Sequence, residues 1–166
     1  MAIDSLTSRW GAAMLQGLAA AAVAVFCYAT INLVPNLLEP YWAPIAAVVV
    51  LYPDPQATTK AAVARFLGTI IGCFIGWGAG VWWHHDVLLY GLAILFAVSL
   101  CYLLRMEAAS RLAAVAVTVI TLVPHEQPVH LVAFHRFVEV SYGVLCALLY
   151  TLAADLVRRR RQRSPS

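Results

Sequence analysis

Several stretches of about 18 to 22 residues in this chain contain no charged side chain, which is the length a helix needs to cross about 30 Å of hydrocarbon. Of the 166 residues, 63% are hydrophobic and 11% are charged, whereas soluble domains carry roughly 25% charged residues. The sequence therefore predicts an all-α, polytopic membrane protein. It would form a single membrane domain over residues 1–166 and leave no sizeable soluble domain.

Six transmembrane helices are predicted from the positions of the apolar runs. The N-terminal stretch lacks the charged start and the small-residue cleavage site of a signal peptide, so the first run is interpreted as a retained span. Asp54 and Pro55 favour a helix start, because an N-cap acceptor precedes proline at the first helical position. The second run is too short to cross alone, and flanking residues would extend it or it would break within the membrane. The predicted spans are 10–31, 41–52, 55–83, 87–104, 112–123 and 129–157.

The distribution of lysine and arginine predicts the orientation of these spans. Loops 32–40, 84–86 and 125–130 would lie on one side of the membrane, and they contain neither residue. The other side would carry Arg9, Lys60, Arg105, Arg111 and the basic tail 158–166. The positive-inside rule then places both termini in the cytoplasm.

The chain repeats a pattern at an offset of 71 residues without a gap. Each copy has a proline, a glutamine, an Arg-Phe pair and a glycine at the same spacings. The copies are Pro53, Gln56, Arg65, Phe66 and Gly72, and then Pro124, Gln127, Arg136, Phe137 and Gly143. With three spans in each copy, the copies enter the membrane from opposite faces. This predicts two inverted three-helix repeats, at about 9–83 and 84–158, with a transport site near the midplane between them.

Arg65 and Arg136 both lie inside apolar runs, where a charge is costly enough to indicate a function. Arg65 could instead snorkel to the cytoplasmic interface; this explanation is weaker for Arg136, which approaches from the outer side. Two guanidinium groups brought together by the repeat predict an anion site, because their N–H fork matches a carboxylate. Thr69 and Trp42 are predicted as further substrate contacts.

Glu139 lies one turn after Arg136 and replaces Gly68 of the first copy. Two interpretations stay open. A counter-charge at i+3 would form a local ion pair with Arg136. A protonatable carboxyl would instead couple transport to proton movement.

Helix-packing roles are predicted for the glycines of the third helix. Gly68, Gly72, Gly76 and Gly80 recur every four residues and form one smooth ridge, here called the glycine ridge, on which another helix can approach closely. Packing within the chain and a dimer interface would both explain it. Gly143 is assigned the same role in the second copy.

The remaining sequence favours neither a metal site nor enzyme chemistry. His125, His130 and His135 are five apart, which is not a one-face metal pattern, and the four cysteines have no paired spacing, so they are interpreted as small packing residues. The chain has no Walker motif, no Ser-His-Asp arrangement and no glycine-rich loop between strand and helix. We therefore expect no enzymatic activity, cofactor or nucleic acid, and a lipid bilayer as the surroundings.

A resemblance to the fusaric acid resistance protein-like family of aromatic acid exporters is carried by residues 41–72, YWAPIAAVVVLYPDPQATTKAAVARFLGTIIG. The shared pattern is a short Trp-containing span, a Pro-rich turn, Ala/Thr, then Arg and Gly-Thr-x-x-Gly. Here these are Trp42, Pro53, Thr58, Arg65, Gly68, Thr69 and Gly72. Residues 135–148, HRFVEVSYGVLCAL, look like a weaker second version. The aluminium-activated malate channels of plants are more distantly similar.

The resemblance implies export of organic, often aromatic, carboxylates across the bacterial inner membrane, driven by the proton gradient. Larger members carry a cytoplasmic domain and often a second membrane unit; neither is expected here, so a homodimer is expected as the working unit. Two other functions stay open. One is a passive anion channel of the same fold, and the other is a non-transporting membrane subunit that packs against a partner through the glycine ridge.

Overall fold

The computed structural model describes residues 2–35, 37, 39–82, 86–124 and 126–163, and these form six α-helices. The helices are α1 (Ala2–Ile31), α2 (Trp42–Val50), α3 (Pro55–Val81), α4 (Val87–Leu103), α5 (Glu107–Leu122) and α6 (Val129–Arg163). The all-helical class is thereby confirmed for this part of the chain. The boundary between the predicted repeats at 83–84, His125 and the last residues of the basic tail lie outside the described residues.

Helix starts follow local chemistry more closely than hydropathy. α3 begins where predicted: the Asp54 carboxylate accepts a hydrogen bond from the Ala57 N–H at 2.9 Å, and Pro55 occupies the first helical position. α5 begins earlier than the predicted residue 112. Its first turns carry exposed Glu107 and Arg111, which an apolar run alone does not include. Charged first turns of this kind are compatible with a helix that starts in the interface.

Three glycines of the ridge in α3, Gly68, Gly72 and Gly76, pack against α5, and Gly80 packs against Val129 at the start of α6. A Cβ atom placed on Gly68 would lie 2.6 Å from the carbonyl oxygen of Ala109, and one on Gly72 would lie 2.5 Å from that of Ala113. Carbon atoms in ordinary contact are about 3.5–4.0 Å apart, so only glycine allows this approach. These contacts agree with the predicted packing within the chain, and α5 covers Gly68 and Gly72.

The second copy of the pattern makes the corresponding contact with α2. A Cβ on Gly143 would overlap the carbonyl group of Ala43 and lie 3.0 Å from Ala46 Cβ. Thus α3 packs on α5 and α6 packs on α2, while α1 lies against α2 and α4 against α5. Phe66 and Phe137, which occupy the same position of the two copies, have ring centroids 5.6 Å apart where α3 meets α6.

The turn from α2 into α3 is organised by Thr58. Its hydroxyl accepts a hydrogen bond from the Tyr52 N–H at 3.0 Å and donates one to the Tyr52 carbonyl at 3.1 Å. Thr58 is fully buried. The side chain therefore satisfies backbone groups that the end of a short helix would leave unpaired.

The turn from α4 into α5 closes with a Schellman motif. The Met106 N–H bonds to the Cys101 carbonyl at 2.8 Å, and the Arg105 N–H bonds to the Tyr102 carbonyl at 3.0 Å. Arg105 has a φ of 58°, the left-handed conformation that glycine usually provides at this position. The backbone here is consequently strained.

The surface of the bundle is apolar. Arg9–Ile31, Pro55–Val81 and Val129–Arg160 are long and apolar enough to cross a membrane, and Val87–Leu103 is a shorter apolar helix. Leu18 and Phe26 on α1, among other large apolar side chains, are mostly exposed. Apolar area on this scale fits lipid tails rather than water. The four cysteines are free and buried, in agreement with the predicted packing role.

Candidate functional site

The two arginines of the repeated pattern line one cavity. Arg65 in α3 and Arg136 in α6 are 7% and 4% exposed, and Trp42 and Thr69 line the same cavity. The structure thus brings together the four residues that the sequence analysis singles out as substrate contacts. The remaining wall is apolar and comes from α5 and α6, through Leu112, Val115, Ala116, Val119 and Val140.

Arg136 forms an ion pair with Glu39, which lies in the loop before α2. Glu39 Oε2 lies 2.6 Å from Arg136 Nη2 and accepts a hydrogen bond from Trp42 Nε1 at 2.9 Å. The Trp42 ring lies against the guanidinium, with Arg136 Cζ 3.9 Å from the ring centroid. A guanidinium stacks through its face and binds carboxylates through its edge, and Arg136 does both here.

Several donors of the arginine pair have no acceptor. Within the described part of the chain, the buried Nε and Nη1 of Arg136 and the buried Nε of Arg65 lack hydrogen-bond partners. A buried unpaired donor costs about 1–3 kcal/mol, and more when the group is charged. The site therefore contains buried donors that could bind further acceptors.

Arg65 differs from Arg136 in having no carboxylate partner among the described residues. The position equivalent to Glu139 in the first copy is Gly68, and the repeat offset of 71 residues from Glu39 falls on Ser110. The charge of Arg136 therefore acts on Arg65 without a compensating acid on that side. Two like charges in a site of low dielectric constant repel each other strongly.

Glu139 binds the backbone beside Glu39. It is 1% exposed, and its Oε1 accepts a hydrogen bond from the Glu39 N–H at 3.0 Å. The ion pair of Arg136 is formed with Glu39 rather than with Glu139, because α6 presents Arg136 to the loop in front of α2. Glu139 therefore holds the main chain of Glu39, while Arg136 holds its carboxylate.

Glu39 is the site residue that the sequence analysis missed. It is the acidic residue of loop 32–40, three positions before Trp42, and nothing in the local pattern links it to an arginine 97 residues away. Burial alone would raise the pKa of the Glu39 carboxyl. Hydrogen bonds from Tyr41 and Arg136, together with the charge of Arg136, outweigh burial and lower this pKa below its ordinary value of 4.5. Glu39 is accordingly an anion at neutral pH.

The cavity between the arginines is closed. Its volume is about 10 Å³, which is the room of roughly one water molecule. Larger cavities lie elsewhere. One of about 480 Å³ lies between α3 and α6 and is lined by Phe74, Trp77 and Phe134. Another of about 410 Å³ is lined by residues that include Gln16 and Arg158. Neither is lined by the two repeated arginines, so an organic anion reaches them only if the helices move.

Apolar helices around a buried basic cavity define a helical membrane protein with a charged internal site. Residues 21–150 match the fusaric acid resistance protein-like family. Because the match covers most of the chain, the protein belongs to that family, whose members are membrane transport proteins. The family suggested by residues 41–72 is thereby confirmed. No curated protein and no solved structure matches the chain, and the more distant similarity to malate channels stays a prediction.

Proposed function

We propose that the chain is an inner-membrane transport protein that exports organic carboxylates, including aromatic ones, by binding them between Arg65 and Arg136. The observation that carries the proposal is that both arginines line one cavity and hold buried donors without acceptors. A carboxylate supplies two acceptors and one negative charge. Arginines with a purely structural role would be paired in full, because an unpaired buried charge is strongly destabilising.

An aromatic acid matches the rest of the cavity. Its carboxylate would engage the edges of the guanidinium groups, and its ring would contact the apolar wall formed by Leu112, Val115 and Val119. Trp42 already stacks on Arg136 and fixes the plane of the guanidinium. Pre-orientation of this kind lowers the entropy lost on binding.

Opening of the site is proposed to use inverted repeats, each of three helices. The support is the pairing of helices: α3 with α5 and α6 with α2, α1 with α2 and α4 with α5. Phe66 touches Phe137 at the crossing of α3 and α6. If one three-helix unit rocks against the other about this contact, the cavity opens to alternate sides of the membrane.

Glu139 is the proposed site of proton coupling. It is an acid buried beside Arg136, and it binds the Glu39 N–H. A proton taken up by Glu139 would remove a negative charge next to the site and so favour an anionic substrate there. A passive anion channel would not need a protonatable carboxyl at this position.

A homodimer is the proposed working unit. Its interface would not be the glycine ridge, since α5 covers Gly68 and Gly72. The same observation removes the interface on which the non-transporting subunit relied. We therefore favour transport over a purely structural role.

The arginine site is tested by flux of benzoate, an aromatic monocarboxylate, through purified protein in liposomes. Arg65→Gln and Arg136→Gln should each lower the initial rate by at least about tenfold, because a charge-assisted hydrogen bond contributes about 1.5–3 kcal/mol. Arg159→Gln is the matched control. Arg159 is exposed and pairs with Asp155 at 2.8 Å, so its loss should leave the rate unchanged. Wild-type rates in both site variants would refute the proposal.

Coupling is tested with the same liposomes and an imposed pH gradient. An exporter would accumulate benzoate beyond the level that protein-free liposomes reach by permeation of neutral benzoic acid, and Glu139→Gln would abolish this excess while leaving downhill movement. Accumulation that never exceeds the level in protein-free liposomes would identify a passive channel instead.

A further inference from the structure

We infer that Glu39 is a tethered competitor of the transported anion: it occupies Arg136 in the closed site and sets the affinity of that site for carboxylates. The inference rests on the proposed function and adds a residue that determines affinity. Glu39 is itself a carboxylate, and it binds the arginine to which the substrate carboxylate is assigned. Both pairs of parallel donors on the Arg136 guanidinium, Nε with Nη2 and Nη1 with Nη2, include the Nη2 that Glu39 occupies, so an anion that binds Arg136 through such a pair must displace Glu39.

The geometry shows why displacement is favourable. Glu39 reaches Arg136 through one oxygen, Oε2, which it also shares with the Trp42 indole N–H. Arg136 keeps Nε and Nη1 unpaired. A free carboxylate can take two parallel N–H donors of one guanidinium, so the exchange would replace a single contact by a fork. The closed state is consequently weaker than the best complex that Arg136 can form.

Glu39 can leave without becoming an uncompensated buried charge. Its side chain is 22% exposed, unlike Glu139, which is 1% exposed. Glu39 also lies in a connection between helices rather than within one. Its carboxylate can therefore leave Arg136 and be hydrated, whereas a carboxylate as deeply buried as that of Glu139 would have no access to water.

The tether keeps the competitor close after it has left. The Glu39 N–H is bound to Glu139 Oε1 at 3.0 Å, and α2 begins at Trp42 directly after this segment. A carboxylate held in this way has a high effective concentration at the arginine it has just released. Its return would expel the anion, so the same residue would limit affinity and promote release.

The competition acts on one side of the cavity only. Arg65 has no acid in the position equivalent to Glu39, where the repeat offset of 71 residues gives Ser110. An entering anion would therefore engage Arg65 first and then take Arg136 from Glu39. On the predicted orientation, Glu39 lies towards the outer face, and its return closes the site behind an anion that leaves outward.

The test is the concentration dependence of benzoate efflux in Glu39→Gln. If Glu39 occupies Arg136 about 90% of the time, its removal lowers the half-saturating concentration about tenfold, since apparent affinity scales with the competent fraction. The maximal rate should fall or stay constant, because the Glu39 carboxylate is no longer present to displace the bound anion from Arg136. Glu126→Gln, in the connection before α6, neutralises an exposed acid and should change neither value.

The outcomes separate this inference from the proposed function. A half-saturating concentration that is unchanged or raised in Glu39→Gln overturns the competitor role, provided that Arg65→Gln and Arg136→Gln still lose flux. Wild-type flux in those two arginine variants would overturn the proposed function itself. If the Gln variant does not fold, Glu39→Asp replaces it, because the shorter acid keeps its charge but retreats from Arg136. An unchanged half-saturating concentration in Glu39→Asp would equally overturn the inference.

Discussion

Replacement of Gly72 by alanine tests the close contact between α3 and α5. The new Cβ would lie 2.5 Å from both the Ala113 carbonyl oxygen and Ala116 Cβ. Because these are a backbone atom and a short side chain, neither can rotate away, and α3 must separate from α5 by about 1 Å to restore ordinary distances. A gap of that size forfeits a quarter to a half of each dispersion contact along the interface. We expect Gly72→Ala to lower the free energy of unfolding by about 2–3 kcal/mol, the upper part of the range for overpacking.

Gly78 provides the matched control in the same helix. A Cβ on Gly78 would meet nothing within 4 Å, and alanine is the better helix former by about 0.5–1 kcal/mol. Gly78→Ala should therefore be neutral or stabilising. The two variants are compared with the wild type by denaturant unfolding in mixed micelles, followed by circular dichroism. Equal stability of Gly72→Ala and Gly78→Ala would refute the assignment of the ridge to the α3–α5 contact.

Three further predictions concern stability measured in the same way. Thr58→Val removes two buried hydrogen bonds to Tyr52 and should lower the free energy of unfolding by about 1–3 kcal/mol; exposed Thr59→Val should change it by less than about 0.5 kcal/mol, and a similar loss in both would contradict the role of Thr58. Arg105→Gly relieves the left-handed backbone and should stabilise by about 0.5–1 kcal/mol after the greater freedom of glycine in the unfolded chain is counted; destabilisation would argue against strain there. The pKa of Glu39 is lowered by folding, so its stabilising contribution is complete above the ordinary value of 4.5 and is lost as the pH falls through the lower folded value. Stability should therefore decline less steeply on acidification in Glu39→Gln than in the wild type, and identical profiles would exclude Glu39 as the source.

Local signals predict the number of helices, the start of α3 and part of the packing. The start of α3 follows from Asp54 and Pro55, because an N-cap and a fixed φ act within one turn. The glycine ridge follows from a spacing of four, which places small residues on one helix face whatever the partner. The helix that packs on the glycine ridge cannot be predicted from the sequence, because every apolar run in the chain offers a similar surface. Hydropathy predicts the start of α5 too late, because the charged first turns of this helix are helical but not apolar.

Most residues of the candidate site can be predicted from the sequence, but the ion pair that Arg136 forms cannot. Arg65 and Arg136 could be grouped because the repeat relates them, and Trp42 and Thr69 because they accompany Arg65 in the family pattern. The partner of Arg136 could not be found in this way. The i+3 rule pointed to Glu139, which lies on the same helix, whereas Glu39 reaches Arg136 only after α6 has packed on α2. Long-range ion pairs of this kind depend on tertiary geometry, and a single sequence contains no local record of them.

The contact between Phe66 and Phe137 shows what would be restricted if this bundle were built from two separate, identical three-helix chains. Two identical three-helix chains related by a two-fold axis would make this contact isologous, each phenylalanine meeting its own copy. The arginine before it would then face an identical arginine, and any acid introduced to relieve the repulsion would appear on both sides. In a single continuous chain the two sides can differ. Gly68 allows the close approach of α5. Its counterpart Glu139 binds the backbone of Glu39, and the Glu39 carboxylate pairs with Arg136 but not with Arg65.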